Sequence, residues 1–235
     1  LPEGTRRERI LASPNYYDGK FQCLDPLEDI MEESEDGESR LSATWKFLFG
    51  DKTGLVPAQP MLSRKTDLKA LPPEDDVVIW MGHSTFYLHL AGHRILIDPV
   101  LSSYASPLFF INKAFPGSNI YTADDFPPID VLLLTHDHWD HLDYPSLMAL
   151  RPKIGDIVCP LGVGAYVEQW GFDTTRLHEE DWFTEVNIAP DLQVHVLPSQ
   201  HFSGRFLEQN KTQWAGFALL TPQRKIFCSG DGGYG

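Results

Sequence analysis

Cysteine is scarce in this sequence: Cys23, Cys159 and Cys228 are the only three in 235 residues, they lie far apart, and none forms a Cys-x-x-Cys pair. An odd, dispersed set argues against a disulfide framework, and each reads as a small buried hydrophobe. Positive charge is also in short supply, with 19 Lys and Arg against 33 Asp and Glu and a net charge of −14. That balance argues against nucleic acid as a partner, because such binders carry a basic face. A charged substrate stays open, since a bound metal reverses the sign of a local field. No run of 18 apolar residues occurs, so no segment reads as a membrane span. No internal repeat is evident.

What is present is the composition of a globular chain, 42% hydrophobic and 12% aromatic, long enough to bury a core. Residues 1–75 read as an acidic N-terminal extension or arm. Within it Asp25–Arg40 is strongly acidic and expected to be exposed or poorly ordered, and Ala43–Gly50 is an apolar patch suited to packing on a main body. Residues 76–235 read as one domain. "VVIW", "TFYLHL" and "ILIDP" are strand-like, the last two joined by a Gly-centred hairpin turn. "IDVLLLT" (Ile129–Thr135) suits a strand buried on both faces. "YPSLMAL" and "VGAYVEQWG" suit short helices, and "DIVCPL", "LQVHVLP", "WAGFALLT" and "KIFCSGD" further strands. Alternating strands and helices followed by clustered strands indicate an α/β layered fold.

The chemistry concentrates in "LLLTHDHWDHLDYP", where His136, His138, Asp140 and His141 follow the buried strand directly. Loops at strand ends are where open α/β folds place their sites. His136 and His138 point the same way on an extended segment, and Asp140 and His141 reach a second point after the chain turns. Imidazole and carboxylate donors without thiolate suit divalent transition metals. The spacing offers two ligands to one ion and two to a neighbour, and paired ions are a hydrolytic device.

This H-x-H-x-D-H stretch resembles the signature of the metallo-β-lactamase superfamily. Asp98 in "LIDP", His201 in "LPSQHFSGR" and Asp231 in "FCSGDGGY" stand where the superfamily has further motifs, in order. The flanking text ("GHSTFYLHL", "ILIDPVLSSYASP", "FPPIDVLLLTHDHWDHLDY", "NKTQWAGFAL") is similar to the N-acyl phosphatidylethanolamine phospholipase D-like branch. The resemblance implies an αββα sandwich and two divalent ions: zinc, with manganese or iron as alternatives. His136, His138 and His201 would hold the first ion, Asp140 and His141 the second, and Asp231 would bridge them. Asp140 and Asp231 would be the catalytic carboxylates. Asp98 would fix the tautomer of a ligand imidazole, or simply form the turn before Pro99. His83 would lie near the site. The implied function is a metal-dependent phosphodiesterase acting on a phospholipid-like substrate through a metal-bound hydroxide. The alternatives are a lactonase or other ester hydrolase on the same scaffold, or a non-catalytic metal-binding fragment.

Two departures stand out. The superfamily's C-terminal ligand histidine does not occur before Gly235, so the chain is expected to be a piece of a longer protein whose sandwich lacks its C-terminal part here. Gly232 follows Asp231 where the branch commonly has threonine. Of the remaining residues, His89, His93, His178 and His195 are expected not to be ligands. Trp139, Tyr144 and Trp182 fit either a pocket wall or the core. Arg205 fits either a phosphate contact or an exposed side chain. A lipid-directed reaction points toward a membrane surface, although the acidic balance offers no attraction to anionic lipid.

Overall fold

The computed structural model describes residues 3–24, 45, 50, 54–106, 111–205 and 208–233. The acidic stretch Asp25–Arg40 and most of Ala43–Gly50 lie outside them. The first elements are helix α1 (Gly4–Ala12) and a small hairpin of β1 (Tyr16–Tyr17) and β2 (Lys20–Phe21). The apolar runs after residue 76 then become two sheets.

The larger sheet has six strands in sequence order: β3 (Val77–Trp80), β4 (Phe86–Leu90), β5 (His93–Ile97), β6 (Ile129–Leu133), β7 (Ile154–Pro160) and β8 (Leu177–Glu180). The first three are antiparallel and β5 to β8 run parallel. Ala91 (φ 49°) and Gly92 (φ 82°) make the two-residue turn from β4 to β5. Two successive positive φ values match the twist of a hairpin, which is why a glycine sits there. The parallel steps need crossovers, and α2 (Tyr144–Leu150) and α3 (Gly164–Gln169) supply two of them, from β6 to β7 and from β7 to β8. The second sheet contains β9 (Thr184–Ala189), β10 (Leu192–Leu197), β13 (Gly216–Leu220) and β14 (Lys225–Cys228), all antiparallel, in the order β14-β13-β10-β9. A short ladder of β11 (Gly204–Arg205) and β12 (Glu208–Gln209) lies in the connection between β10 and β13.

The period of two along each strand sorts the core into two layers. Leu88, Leu90, Ile95, Ile97, Val131, Leu133 and Val158 face the second sheet and meet Val186, Val194, Val196, Phe217 and Leu219. Tyr87, Leu96, Leu132, Ile157 and Cys159 face the opposite way, onto Leu147 and Leu150 of α2 and Val167 of α3. The unbroken apolar run of β6 follows from this, because both of its faces are covered. The outer face of the second sheet carries Glu185, Asn187, Gln193 and His195, which bond to one another. The layering is the mixed α/β sandwich expected from the sequence.

Two features were not anticipated. β8 and β9 escaped the reading because they are polar; in β8, buried Glu179 accepts from Gly162 N (2.5 Å) and Arg6 Nε (2.6 Å). Residues 4–21, read as part of an arm, are docked on the body, with Ile10 and Phe21 fully buried in the core between the sheets. Among the described residues no helix is long and apolar enough to cross a membrane.

Candidate metal centre

The site sits where β5, β6, β10 and β14 end. The loop after β6 is pinned on both sides. Leu134 N bonds Val158 O, and Ala215 N bonds Thr135 O, so the chain stays extended to His136. It then turns, with Leu142 N on His138 O (2.9 Å), and Asp143 caps α2 by accepting from Ser146 N (3.2 Å). Asp137 points away from the histidines and accepts from Gly204 N (2.7 Å) and the Tyr166 hydroxyl (3.2 Å). Asp137 and Asp143 are thus committed to structure.

His136 Nε2 lies 2.8 Å from His138 Nδ1, and His201 Nε2 lies 3.2 Å and 3.3 Å from those two atoms. Three imidazole nitrogens aimed at one point suit a cation at that point better than they suit one another. Beside them, His141 Nε2 is 3.0 Å from Asp231 Oδ2, and Asp140 Oδ2 is 2.8 Å from His83 Nε2. Asp231 Oδ2 is also 3.9 Å from His201 Nε2, which puts this carboxylate between the two groups. Three donor sets are close enough to hold an ion: His136 with His138 and His201; His83 with Asp140 and His141; His136 with His141 and Asp231. The structure therefore brings together every site residue read from the sequence, including His83, which is a direct neighbour of Asp140. His89, His93, His178 and His195 bond elsewhere, to Asp75 O, Asp191, Asp156 and Gln193.

Buried behind this shell, Asp98 accepts from His141 Nδ1 (2.8 Å), Thr135 N (2.8 Å) and the Thr135 hydroxyl (2.5 Å). With its proton on Asp98, the Thr135 hydroxyl can accept from His136 Nδ1 at 2.8 Å. His136 then carries its proton on Nδ1 and presents an Nε2 lone pair to the site, and His141 does the same once the proton on its Nε2 is given up. Thr135 was missed in the sequence. The available signal was a lone polar residue ending an apolar run.

The electrostatics divide the same way. Burial, followed by its histidine neighbours, pushes His136 well below the usual imidazole range. Burial lowers His138 as well, and burial with His138 brings His201 down to about 4. These three imidazoles are neutral near neutral pH. For His141, burial opposes charge, yet the hydrogen bonds to Asp231 and Asp98 outweigh it and raise the pKa to about 10. Burial likewise works against the Asp140 carboxylate, but His83 and His141 bring it down to about 2. A divalent cation would replace the His141 proton between those acids, so the donor chemistry fits metal ions.

Residues 93–235 match the family model described as "Beta-lactamase superfamily domain". The chain belongs to the β-lactamase superfamily. An uncharacterized protein of Mycobacterium tuberculosis is 35% identical over 223 residues, 94% of this chain and 59% of that one. The mitochondrial N-acyl-phosphatidylethanolamine-hydrolyzing phospholipase D of Saccharomyces cerevisiae is 31% identical over 165 residues, 66% of this chain and 34% of that one. The crystal structure of CmlA, a diiron β-hydroxylase from Streptomyces venezuelae, superposes with a TM-score of 0.52 at 26% identity, covering 68% of this chain and 30% of that one. The chain thus spans well under two-thirds of these relatives' lengths.

Within the superfamily frame, three residues find definite places. A Cβ on Gly232 would run into Ser199 Oγ, which donates to Ser229 O (2.9 Å). The glycine after Asp231 is therefore matched to Ser199. Arg205 is neither an exposed side chain nor a free phosphate contact. Its Nε donates to Asp137 O (2.6 Å), its other arm donates to Leu142 O, and its guanidinium stacks 4.0 Å from the Trp139 ring centroid. It ties the His201 loop to the His136–His141 loop. Trp182 belongs to the core, 5% exposed and packed edge-on against Trp214. The site opens into a recess of about 440 Å³ walled by Val78, Phe86, Ile226 and Phe227 beside His83, His141 and Asp231.

Proposed function

We propose that the protein is a metal-dependent hydrolase that cleaves the phosphodiester of a phospholipid-like substrate. In this reading His136, His138 and His201 would hold one ion, Asp140 and His141 would hold a second, and Asp231 would serve both. The observation that carries it is the meeting of a three-imidazole group and an acid–imidazole group at Asp231 Oδ2, 3.0 Å from His141 Nε2 and 3.9 Å from His201 Nε2. Zinc suits this donor set, and CmlA is a diiron enzyme by its description, so iron belongs in the same assay. The similarity to the yeast phospholipase D and the apolar walls of the recess support a lipid-like ester.

Bound divalent ions supply a water acidified toward neutrality and positive charge for the anion that develops during hydrolysis. The chain's own residues do the aiming. Asp231, 44% exposed, faces the recess and can accept a hydrogen bond from a water placed there. Asp98 holds the His141 proton on Nδ1, and Ser84 Oγ fixes the Asp140 loop by donating to Asp140 O (2.7 Å). The test is release of phosphatidic acid from N-acyl phosphatidylethanolamine by the intact protein loaded with zinc or iron, run beside a panel of lactones. Lactone opening without phosphatidic acid release would replace the phosphodiesterase reading with the lactonase one. Metal content of one ion or none, with no turnover of either class, would favour a non-catalytic metal-binding protein.

A further inference from the structure

The stretch matched by the family model begins at residue 93, well after the hairpin of β1 and β2. That hairpin is nonetheless firmly built. Tyr16 pairs with Phe21 and Tyr17 with Lys20, across a two-residue turn in which Asp18 (φ 52°) and Gly19 (φ 74°) both take positive φ. Such a turn matches the twist of its strands. Tyr16 packs edge-on against Phe21 at 4.9 Å, and its hydroxyl donates to Gly19 O (2.9 Å). A two-stranded hairpin is marginal alone. This one is anchored by Phe21, which is fully buried between the two sheets.

The hairpin lies against the loop that carries His201. Cys23 Sγ is 3.2 Å from His201 O and donates to it. Phe21 N donates to Asn210 O (2.8 Å), and Lys211 Nζ donates to Gly19 O (2.8 Å). Asn210 extends that hold back toward the histidine. Its Oδ1 accepts from Ser203 N (3.1 Å), and its own N donates to Ser203 O (3.0 Å). Asn210 has φ 57°, a conformation that asparagine adopts more readily than most residues. The backbone is thus fixed at His201 itself and again at Ser203. His136 and His138 directly follow β6, whose neighbours aim them, whereas His201 comes four residues after β10 ends. The loop needs other support, and the hairpin is placed to give it. Asp140 and His141 are fixed from the larger sheet instead, by Ser84 Oγ and by Asp98.

We infer that the hairpin, together with Cys23, positions His201 in the three-imidazole group, and that Cys23 and Asn210 are the positioning residues through which it acts. The inference rests on the metal reading of that group and on nothing said of the substrate. The test is the double variant Cys23→Val with Asn210→Gly in the full-length protein. Valine fills the half-buried place and lacks the donor; glycine accepts the positive φ and lacks the acceptor. Cobalt(II) titration with chelator competition is expected to show the first ion bound about tenfold more weakly, the effect of two lost hydrogen bonds, and the second changed by less than about twofold. Cys23→Ser in place of valine restores a donor and is expected to recover part of the loss. Leu68→Ala, which opens a cavity in the other core layer, controls for stability and is expected to leave the ratio of the two affinities unchanged. In the metal-free double variant, amide hydrogen exchange is expected to quicken about tenfold over residues 199–205 and to stay the same over 132–143. An unchanged first affinity, equal losses at both ions, or unchanged exchange over 199–205 would overturn the inference. If the unaltered protein takes up no ion, the metal reading proposed above fails, and the exchange contrast alone decides whether the hairpin positions the loop.

Discussion

Asp98 accepts the Nδ1 proton of His141 at 2.8 Å, and both side chains are 1% exposed. No water can substitute for either partner at that depth. The pair fixes which nitrogen of His141 faces Asp231, and the same carboxylate reaches His136 through the Thr135 hydroxyl.

Asp98→Asn removes this control, because an amide can donate to Nδ1 as readily as it accepts and so permits the wrong tautomer. Outer partners of ligand imidazoles contribute roughly 10–100-fold to metal affinity. The second ion proposed above, which His141 would help to hold, is expected to bind that much more weakly in Asp98→Asn, with a smaller loss at the first. Chelator competition followed by metal analysis reads the two sites separately. Equal retention of both ions would remove Asp98 from the site's support.

Metal uptake is expected to depend on pH at one site and not the other. His201 is brought down to about 4 and His136 lies well below the usual range, so both are already neutral near neutral pH and release no proton. His141, raised to about 10, is protonated there and must give up its proton to an ion. Affinity at the second site should rise by about tenfold per pH unit up to about 10 and level off above it. In the metal-free protein the same raised pKa contributes stability that is present in full below about 6.5 and lost as the pH climbs through about 10. Calorimetric titrations in two buffers of different protonation enthalpy count the released protons. A proton released at the first ion instead would reverse the assignment.

Most of this centre was legible in the sequence because its donors follow apolar runs. "LLLT" before His136, "ILI" before Asp98 and "KIFC" before Asp231 each mark a strand whose end aims a side chain, and strands fix direction through their period of two. What the sequence concealed depends on three-dimensional closure. Arg205 lies only four residues after His201, yet its partners are the carbonyls of Asp137 and Leu142, and no spacing rule anticipates a side chain that bonds backbone. β8 was invisible for a related reason: Glu179 is buried because Arg6, 173 positions earlier, meets it.

Arg205→Lys keeps the charge but loses the fork and the planar stack on Trp139. Two carbonyl contacts are reduced to at most one, at a cost of about 1–3 kcal/mol. The loops carrying His201 and the His136–His141 cluster should then loosen together. The expected signature is faster loss of the first ion to a chelator, with KM little changed and kcat reduced. An intact metal centre with a raised KM would instead return Arg205 to substrate contact.

The docking of the N-terminal helix makes the last expectation a stability one. Arg6 pairs with buried Glu179 at 2.6 Å and with Glu168, whose side chain is 56% exposed. The Glu168 contact is worth little, as exposed ion pairs generally are. The Glu179 contact matters because removing the arginine leaves a carboxylate inside with Gly162 N as its remaining donor among the described residues. Arg6→Met should therefore destabilise the fold by about 1.5–3 kcal/mol, the range for a lost hydrogen bond to a charged group. The double variant Arg6→Met with Glu179→Gln should recover much of that loss, since it removes the stranded charge while Gly162 N keeps an acceptor. Urea denaturation of the four proteins gives the coupling directly. If the single and double variants unfold at the same midpoint, the helix is held by Ile10 in the core and the ion pair is incidental.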